Sequence, residues 1–205
     1  MTFVVFESTY VAIRGYGAER MGAEDGPIEM AQVGLALIAA VGLFCAARWT
    51  VIGRAGLVIC GALVTYAAAR ESDRVFETLL FDDAYKWLVG LPMVMLAAVA
   101  VFVDRRRLIG DLMWLMRHPA ATLFVIAGVY LCSVCQALDR PGLWVGISNA
   151  GESAATKAMI EEYAELFAYL LLAFSGIEAS IFAYRGRAMD RDAESDSQDF
   201  PRIAA

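Results

Sequence analysis

The chain has 205 residues, of which 60% are hydrophobic and 20% are charged, and its formal net charge at pH 7 is −6. A soluble domain of this length is usually near half apolar, and here the excess collects in five long blocks with the charges between them. This distribution argues against a soluble domain. We predict an all-α integral membrane protein, a bundle of about five transmembrane helices with short interfacial amphipathic helices.

The N-terminal segment, residues 1–29, precedes the first apolar block. It carries several charged residues, and its apolar run Phe3–Phe6 is too short for the hydrophobic region of a cleavable signal peptide. We therefore expect an uncleaved segment that lies outside the cytoplasm.

The membrane domain is predicted to cover residues 30–184. Each block is long enough for one crossing of the hydrocarbon core, and the predicted spans are about 30–49, 52–69, 87–103, 119–138 and 163–184. The connection Trp49–Arg54 leaves room only for a tight hairpin. Helical spacing of apolar residues after the second span and in Leu108–Met116 predicts two interfacial helices. The polar tail, residues 185–205, is predicted to be cytoplasmic and disordered.

The basic residues predict which side of the membrane each loop occupies. Ten of the 17 Lys and Arg residues fall in compact segments on one side, and the other seven are spread over longer segments on the opposite side. Basic residues mark short cytoplasmic loops, so the N-terminus is expected outside and the C-terminus in the cytoplasm. The tryptophans agree, since Trp49 and Trp114 fall at the predicted inner boundary and Trp87 and Trp144 at the outer one.

Three charged groups are brought to the outer face by this topology. They precede the first span, end the second and begin the fifth, and their members are Glu24, Asp25 and Glu29; Arg70, Glu71 and Asp73; and Glu161, Glu162 and Glu165. Charges at this depth are costly unless they are paired, line water or face the bundle interior. The cluster is interpreted either as a pocket for a cation or small polar ligand or as helix capping and interfacial charge. Our hypothesis is that Arg70 pairs with Asp25 or Glu165.

The same three groups resemble a pattern in small uncharacterised bacterial inner-membrane proteins. The matching residues are Glu24-Asp25-Gly26 with Glu29, Arg70-Glu71 with Asp73, and Glu161-Glu162 with Glu165. The resemblance implies a location in the bacterial inner membrane and a shared site, without specifying its purpose.

Glu178 is a separate candidate, because it lies within the fifth predicted span about 10 Å from its inner end. A buried carboxylate there could relay protons, be protonated, pair with a neighbouring helix or attract Arg185.

The sequence does not favour an enzyme. His118 is the only histidine, which excludes bis-histidine haem ligation and multi-histidine zinc sites. Cys132 and Cys135 lie in an apolar run and are interpreted as packing residues. A phosphate-binding Gly-Lys loop and a nucleophile elbow are both missing, so we expect no catalytic residue, metal or cofactor.

Two functions stay open. The first is transport or sensing by the outer carboxylate and arginine cluster. The second is an accessory or assembly role in a larger membrane complex, which the small size favours. The expected partners are the lipid bilayer and a larger membrane complex or further copies of this chain, and no nucleic acid.

Overall fold

A computed structural model describes residues 26–140, 142, 144 and 153–199, with side chains described for 157–189 in the last range. All the regular structure in this part of the chain is helical: α1 (Pro27–Trp49), α2 (Arg54–Glu71), α3 (Asp73–Leu79), α4 (Leu91–Asp104), α5 (Leu108–Leu115), α6 (Pro119–Tyr130), α7 (Gln136–Asp139) and α8 (Ser153–Asp199). Two π-helical segments, Lys86–Gly90 and Leu131–Cys135, lead directly into α4 and α7. The prediction of an all-helical fold is confirmed.

Four helical stretches are long and apolar enough to cross a membrane: Pro27–Trp49, Lys86–Asp104, Pro119–Asp139 and Lys157–Met189. They overlap the first, third, fourth and fifth predicted spans. α2, the predicted second span, is a helix but is not among the four, because its 18 residues include the charged residues Arg54, Arg70 and Glu71. Between these ends α2 buries small and apolar residues, including Gly61, against the rest of the bundle.

The hairpin between α1 and α2 is tight, as expected. α1 begins with Pro27, whose fixed φ suits the first turn of a helix, and has Arg48 in its last turn. The turn that follows uses Gly53 at φ 76°, a conformation that residues with a Cβ rarely adopt. The ring of Trp114 from α5 packs on this glycine and closes that end of the bundle.

α1 and α8 run parallel and form the tightest contact in the bundle. Gln32 meets Glu162 at one end, and the rings of Trp49 and Tyr184 meet at the other with centroids 5.7 Å apart. Midway, a Cβ on Gly42 would lie 2.4 Å from the backbone oxygen of Gly176. Such close approach of two backbones is what small residues at a helix interface allow in membrane proteins.

The short helices α3 and α5 occur where the sequence predicts interfacial helices. The tail differs from the prediction, because α8 continues to Asp199 and residues 185–199 are helical where disorder is predicted. Extending a helix that is already nucleated costs far less than starting one, and no proline interrupts the chain before Pro201.

Candidate functional site

The end of the bundle where α1 begins and α2 ends contains the candidate site. Gln32 on α1 is fully buried, and its Nε2 donates hydrogen bonds to the backbone oxygen of Glu162 at 3.0 Å and to its carboxylate at 2.9 Å. These two bonds fix the orientation of the amide group. Its other atom, Oε1, is buried and has no hydrogen-bond donor in the described part of the chain.

A second set of contacts joins the end of α2 to α8. The hydroxyl of Tyr169, which is 2% exposed, donates a 2.9 Å hydrogen bond to Oε1 of Glu71. Nη2 of Arg70 lies 3.2 Å from the same oxygen. This carboxylate oxygen therefore accepts the hydrogen bond of Tyr169 and forms the ion pair with Arg70. The α2–α8 connection runs through Glu71 rather than directly from Arg70.

The electrostatic surroundings of Arg70 include a second carboxylate, Glu165, which interacts with it through charge and without a contact as close as that of Glu71. Of the two partners in our hypothesis, Glu165 does not form the ion pair: among the described residues, the ion-pair partner of Arg70 is its neighbour Glu71. The other proposed partner, Asp25, lies outside the described residues, as does Glu24. Glu29 and Glu71 both interact electrostatically with Glu162, so carboxylates from three helices face one region.

A cavity of about 460 Å³ opens beside this region, between the start of α1, the end of α2 and α3. Glu29, Glu71 and Arg74 contribute its charged groups, and Ser72 contributes a hydroxyl. Most of the remaining lining is apolar. This combination of an apolar cavity with a few converging polar groups is common in small-ligand sites.

Two of the predicted site residues are directed elsewhere. Glu161 lies 3.8 Å from Nζ of Lys157, which also binds Asp139 at 3.5 Å and donates to the backbone oxygen of Asp139 at 2.9 Å. Glu161 therefore belongs to a separate network that ties α8 to α7. Asp73 accepts a 2.6 Å hydrogen bond from the backbone N–H of Arg74 at the start of α3. The α8 residues that the structure brings to the site are Glu162, Glu165 and Tyr169.

Sequence reasoning missed two central residues, Gln32 and Tyr169. Each had a signal in the sequence. Between Met30 and Arg48, which lies near the end of α1, Gln32 is the one polar side chain if Cys45 is counted as apolar. Tyr169 stands four residues after Glu165 and seven after Glu162, which places all three on one face of a helix.

Glu178 is exposed on the surface of the bundle, so the expectation of a buried carboxylate is not what the structure has. Its neighbours on the same surface, Ile177 and Ile181, are 41% and 42% exposed. The two cysteines interpreted as packing residues differ from each other: Cys135 is buried and Cys132 is exposed.

No family of known proteins, no curated protein and no solved structure matches this chain.

Proposed function

We propose that this chain is a five-span membrane protein that binds a cation, or a small polar ligand with a cationic group, at the cluster of Gln32, Glu71 and Glu162. The observation that carries the proposal is the buried Oε1 of Gln32, an acceptor without a described donor beside converging carboxylates. Leaving a buried acceptor unsatisfied costs about 1–3 kcal/mol, and a bound cation would offset that cost.

Charge favours a cation over an anion. Among the described residues, and leaving aside Glu161 because it pairs with Lys157, the site and its cavity contain four carboxylates (Glu29, Glu71, Glu162 and Glu165) and two guanidinium groups, those of Arg70 and Arg74. The formal excess is negative. Carboxylate and amide oxygens are also the ligands that hard cations prefer. We propose transport or sensing as the role of this binding.

The membrane setting completes the proposal. In it α2 is the second of five spans, its charged ends lie at the two surfaces and its middle is shielded by α1 and α4. The distribution of basic residues supports an N-terminus outside and a C-terminus in the cytoplasm of a bacterial inner membrane. The cluster then faces the outside, at the level where Arg70 leaves the hydrocarbon core.

A thermal-shift titration in lipid nanodiscs tests cation binding. Chlorides of sodium, potassium, methylammonium, magnesium and calcium are compared at constant ionic strength, so that general screening is the same in each sample. At about 100 times its Kd, a specific cation should raise Tm by roughly 5–10 °C. If all five salts give the same curve, the cluster is a structural network and binds none of them.

A second candidate function, an accessory subunit, is favoured by Glu178. An exposed carboxylate within the apolar part of α8 would face lipid, at a cost of a few kcal/mol, unless another protein supplies a partner. Wild-type protein should then co-purify with a fixed partner in mild detergent, and Glu178→Leu should lose that partner while remaining folded. A homogeneous monomer in both cases contradicts this role.

A further inference from the structure

A groove of about 650 Å³ runs along the outside of the bundle between α2 and the helix formed by Lys86–Gly90 and α4. Leu63 and Tyr66 line one wall, and Trp87, Val94 and Ala97 line the other. The span Lys86–Asp104, which contains α4, is the least buried of the four candidate spans, since only 6% of its most apolar stretch is buried. The groove therefore opens away from the other helices.

The floor of the groove is built by a close contact. Gly90 is buried at the end of the π-helical segment, and a Cβ there would lie 3.0 Å from the ring of Tyr66. The rings of Tyr66 and Tyr85 pack with centroids 6.1 Å apart. The two walls are therefore held at a fixed spacing at this end.

All the charge in the lining lies at one end of the groove. Nζ of Lys86 is 2.5 Å from a carboxylate oxygen of Asp83, and both side chains are about half exposed. Carboxylate oxygens of Glu77, Asp82 and Asp83 all lie within 4.8 Å of one another. The lining at this end thus offers one ammonium group, of Lys86, and one carboxylate, of Asp83, with the carboxylates of Glu77 and Asp82 beside it. The rest of the lining is apolar or aromatic.

This arrangement has the polarity of an amphiphile whose head carries both signs of charge. We propose that the groove binds a phospholipid with a phosphate and a free ammonium group in its headgroup, such as phosphatidylethanolamine. The phosphate lies at Lys86, the ammonium lies among Glu77, Asp82 and Asp83, and an acyl chain follows the apolar walls. An anionic phospholipid without an amine has nothing to offer the carboxylates and meets their repulsion.

The site is distinct from the Gln32 cluster and shares only its dependence on the proposed membrane setting. In that setting this surface faces lipid. Trp87 is 63% exposed at the charged end of the groove, and tryptophan is enriched at the level of the lipid headgroups.

Native mass spectrometry of delipidated protein tests the proposal. The protein is mixed with equimolar phosphatidylethanolamine and phosphatidylglycerol with identical acyl chains. We expect phosphatidylethanolamine to be bound about tenfold more tightly, a ratio that one charge-assisted contact provides. Equal binding, or a preference for phosphatidylglycerol, overturns the proposal.

Two pairs of variants locate the site. The double variant Glu77→Gln with Asp82→Asn keeps the Asp83–Lys86 pair and should abolish the headgroup preference, whereas Asp104→Asn, at the far end of α4, should keep it. Val94→Trp should fill the groove and remove lipid binding. Val99→Trp, on the same helix at similar exposure but outside the groove, should not.

If Val94→Trp and Val99→Trp bind lipid alike, or if Val94→Trp instead breaks up an oligomer, the groove is not a lipid site. The cation response of the Gln32 cluster, measured on the same variants, should be unchanged. A failure of the lipid proposal is therefore separable from a failure of the proposed function.

Discussion

The amide of Gln32 holds Glu162 by two hydrogen bonds, across 130 residues of sequence, and leaves its own carbonyl oxygen buried without a described donor. The pair joins two parallel helices at the end of the bundle where the carboxylates converge. Both hydrogen bonds of the amide nitrogen go to Glu162, so the described residues leave the carbonyl oxygen unsatisfied. The pair thereby stabilises the α1–α8 contact, and the proposed cation site depends on it.

Removing the Tyr169 hydroxyl should destabilise the fold. Tyr169→Phe keeps the ring and deletes the hydrogen bond to Glu71, a bond to a charged acceptor that contributes about 1.5–3 kcal/mol. Thermal unfolding in detergent measures the loss. Tyr184→Phe is the matched control, since Tyr184 is 61% exposed. Equal melting temperatures for the two variants would show that the Tyr169 bond contributes nothing.

Adding one methyl group at the α1–α8 contact should also be costly. A Cβ in Gly176→Ala would lie 2.5 Å from the backbone oxygen of Ala39, which cannot move without shifting α1. We expect a loss of about 1–3 kcal/mol in stability. Gly128→Ala, where nothing lies within 4 Å, should be neutral or slightly stabilising. Comparable stability of the two variants would argue that the helices are less closely packed.

Arg70→Gln should lower the melting temperature and weaken any cation-induced shift. The Glu71 side chain is only 10% exposed and loses its ion-pair partner, but Arg70 itself is 54% exposed, so the expected loss is about 1 kcal/mol. Arg117→Gln, at an exposed position at the other end of the bundle, is the control. If both variants match the wild type in stability and salt response, the cluster is merely solvated.

Topology can be checked by labelling. In a background without the four native cysteines, Ser148→Cys should react with an impermeant maleimide from outside intact cells, and Ser195→Cys should react only after the membrane is opened. The reason is the concentration of arginines in the segments predicted to be cytoplasmic. A reporter fused after Ala205 that is exported would contradict this topology.

Hydropathy and helical spacing predict the helices well, because each apolar block needs only local information. Hydropathy does not describe α2 fully. Its apolar middle predicts a span, but with its charged ends included the helix is not apolar enough to be counted among the four candidate spans. Its position between α1 and α4 is a property of packing. The continuation of α8 beyond Arg185 is likewise missed, since composition alone favours a disordered tail.

The sequence predicts which segments meet at the site, but not which of their side chains contact one another. Hydropathy boundaries bring Arg70, Glu71, Glu162 and Glu165 to one end. Helix rotation then decides that Glu162 faces Gln32 while Glu161, one residue away, pairs with Lys157. Adjacent residues point about 100° apart around the helix. The spacing of charges along the sequence does not show which of them faces a neighbouring helix.

That rotation provides the sharpest test of cation binding at the Gln32 cluster. Isothermal titration calorimetry with the five chloride salts is carried out on wild-type protein, Glu162→Gln and Glu161→Gln in nanodiscs. Both variants remove one formal negative charge at nearly the same depth, and only Glu162 contacts Gln32. We expect a cation that binds the wild type and Glu161→Gln alike and binds Glu162→Gln at least about tenfold more weakly. Equal affinity for both variants, or no binding of any of the five cations to the wild type, would contradict the proposed site.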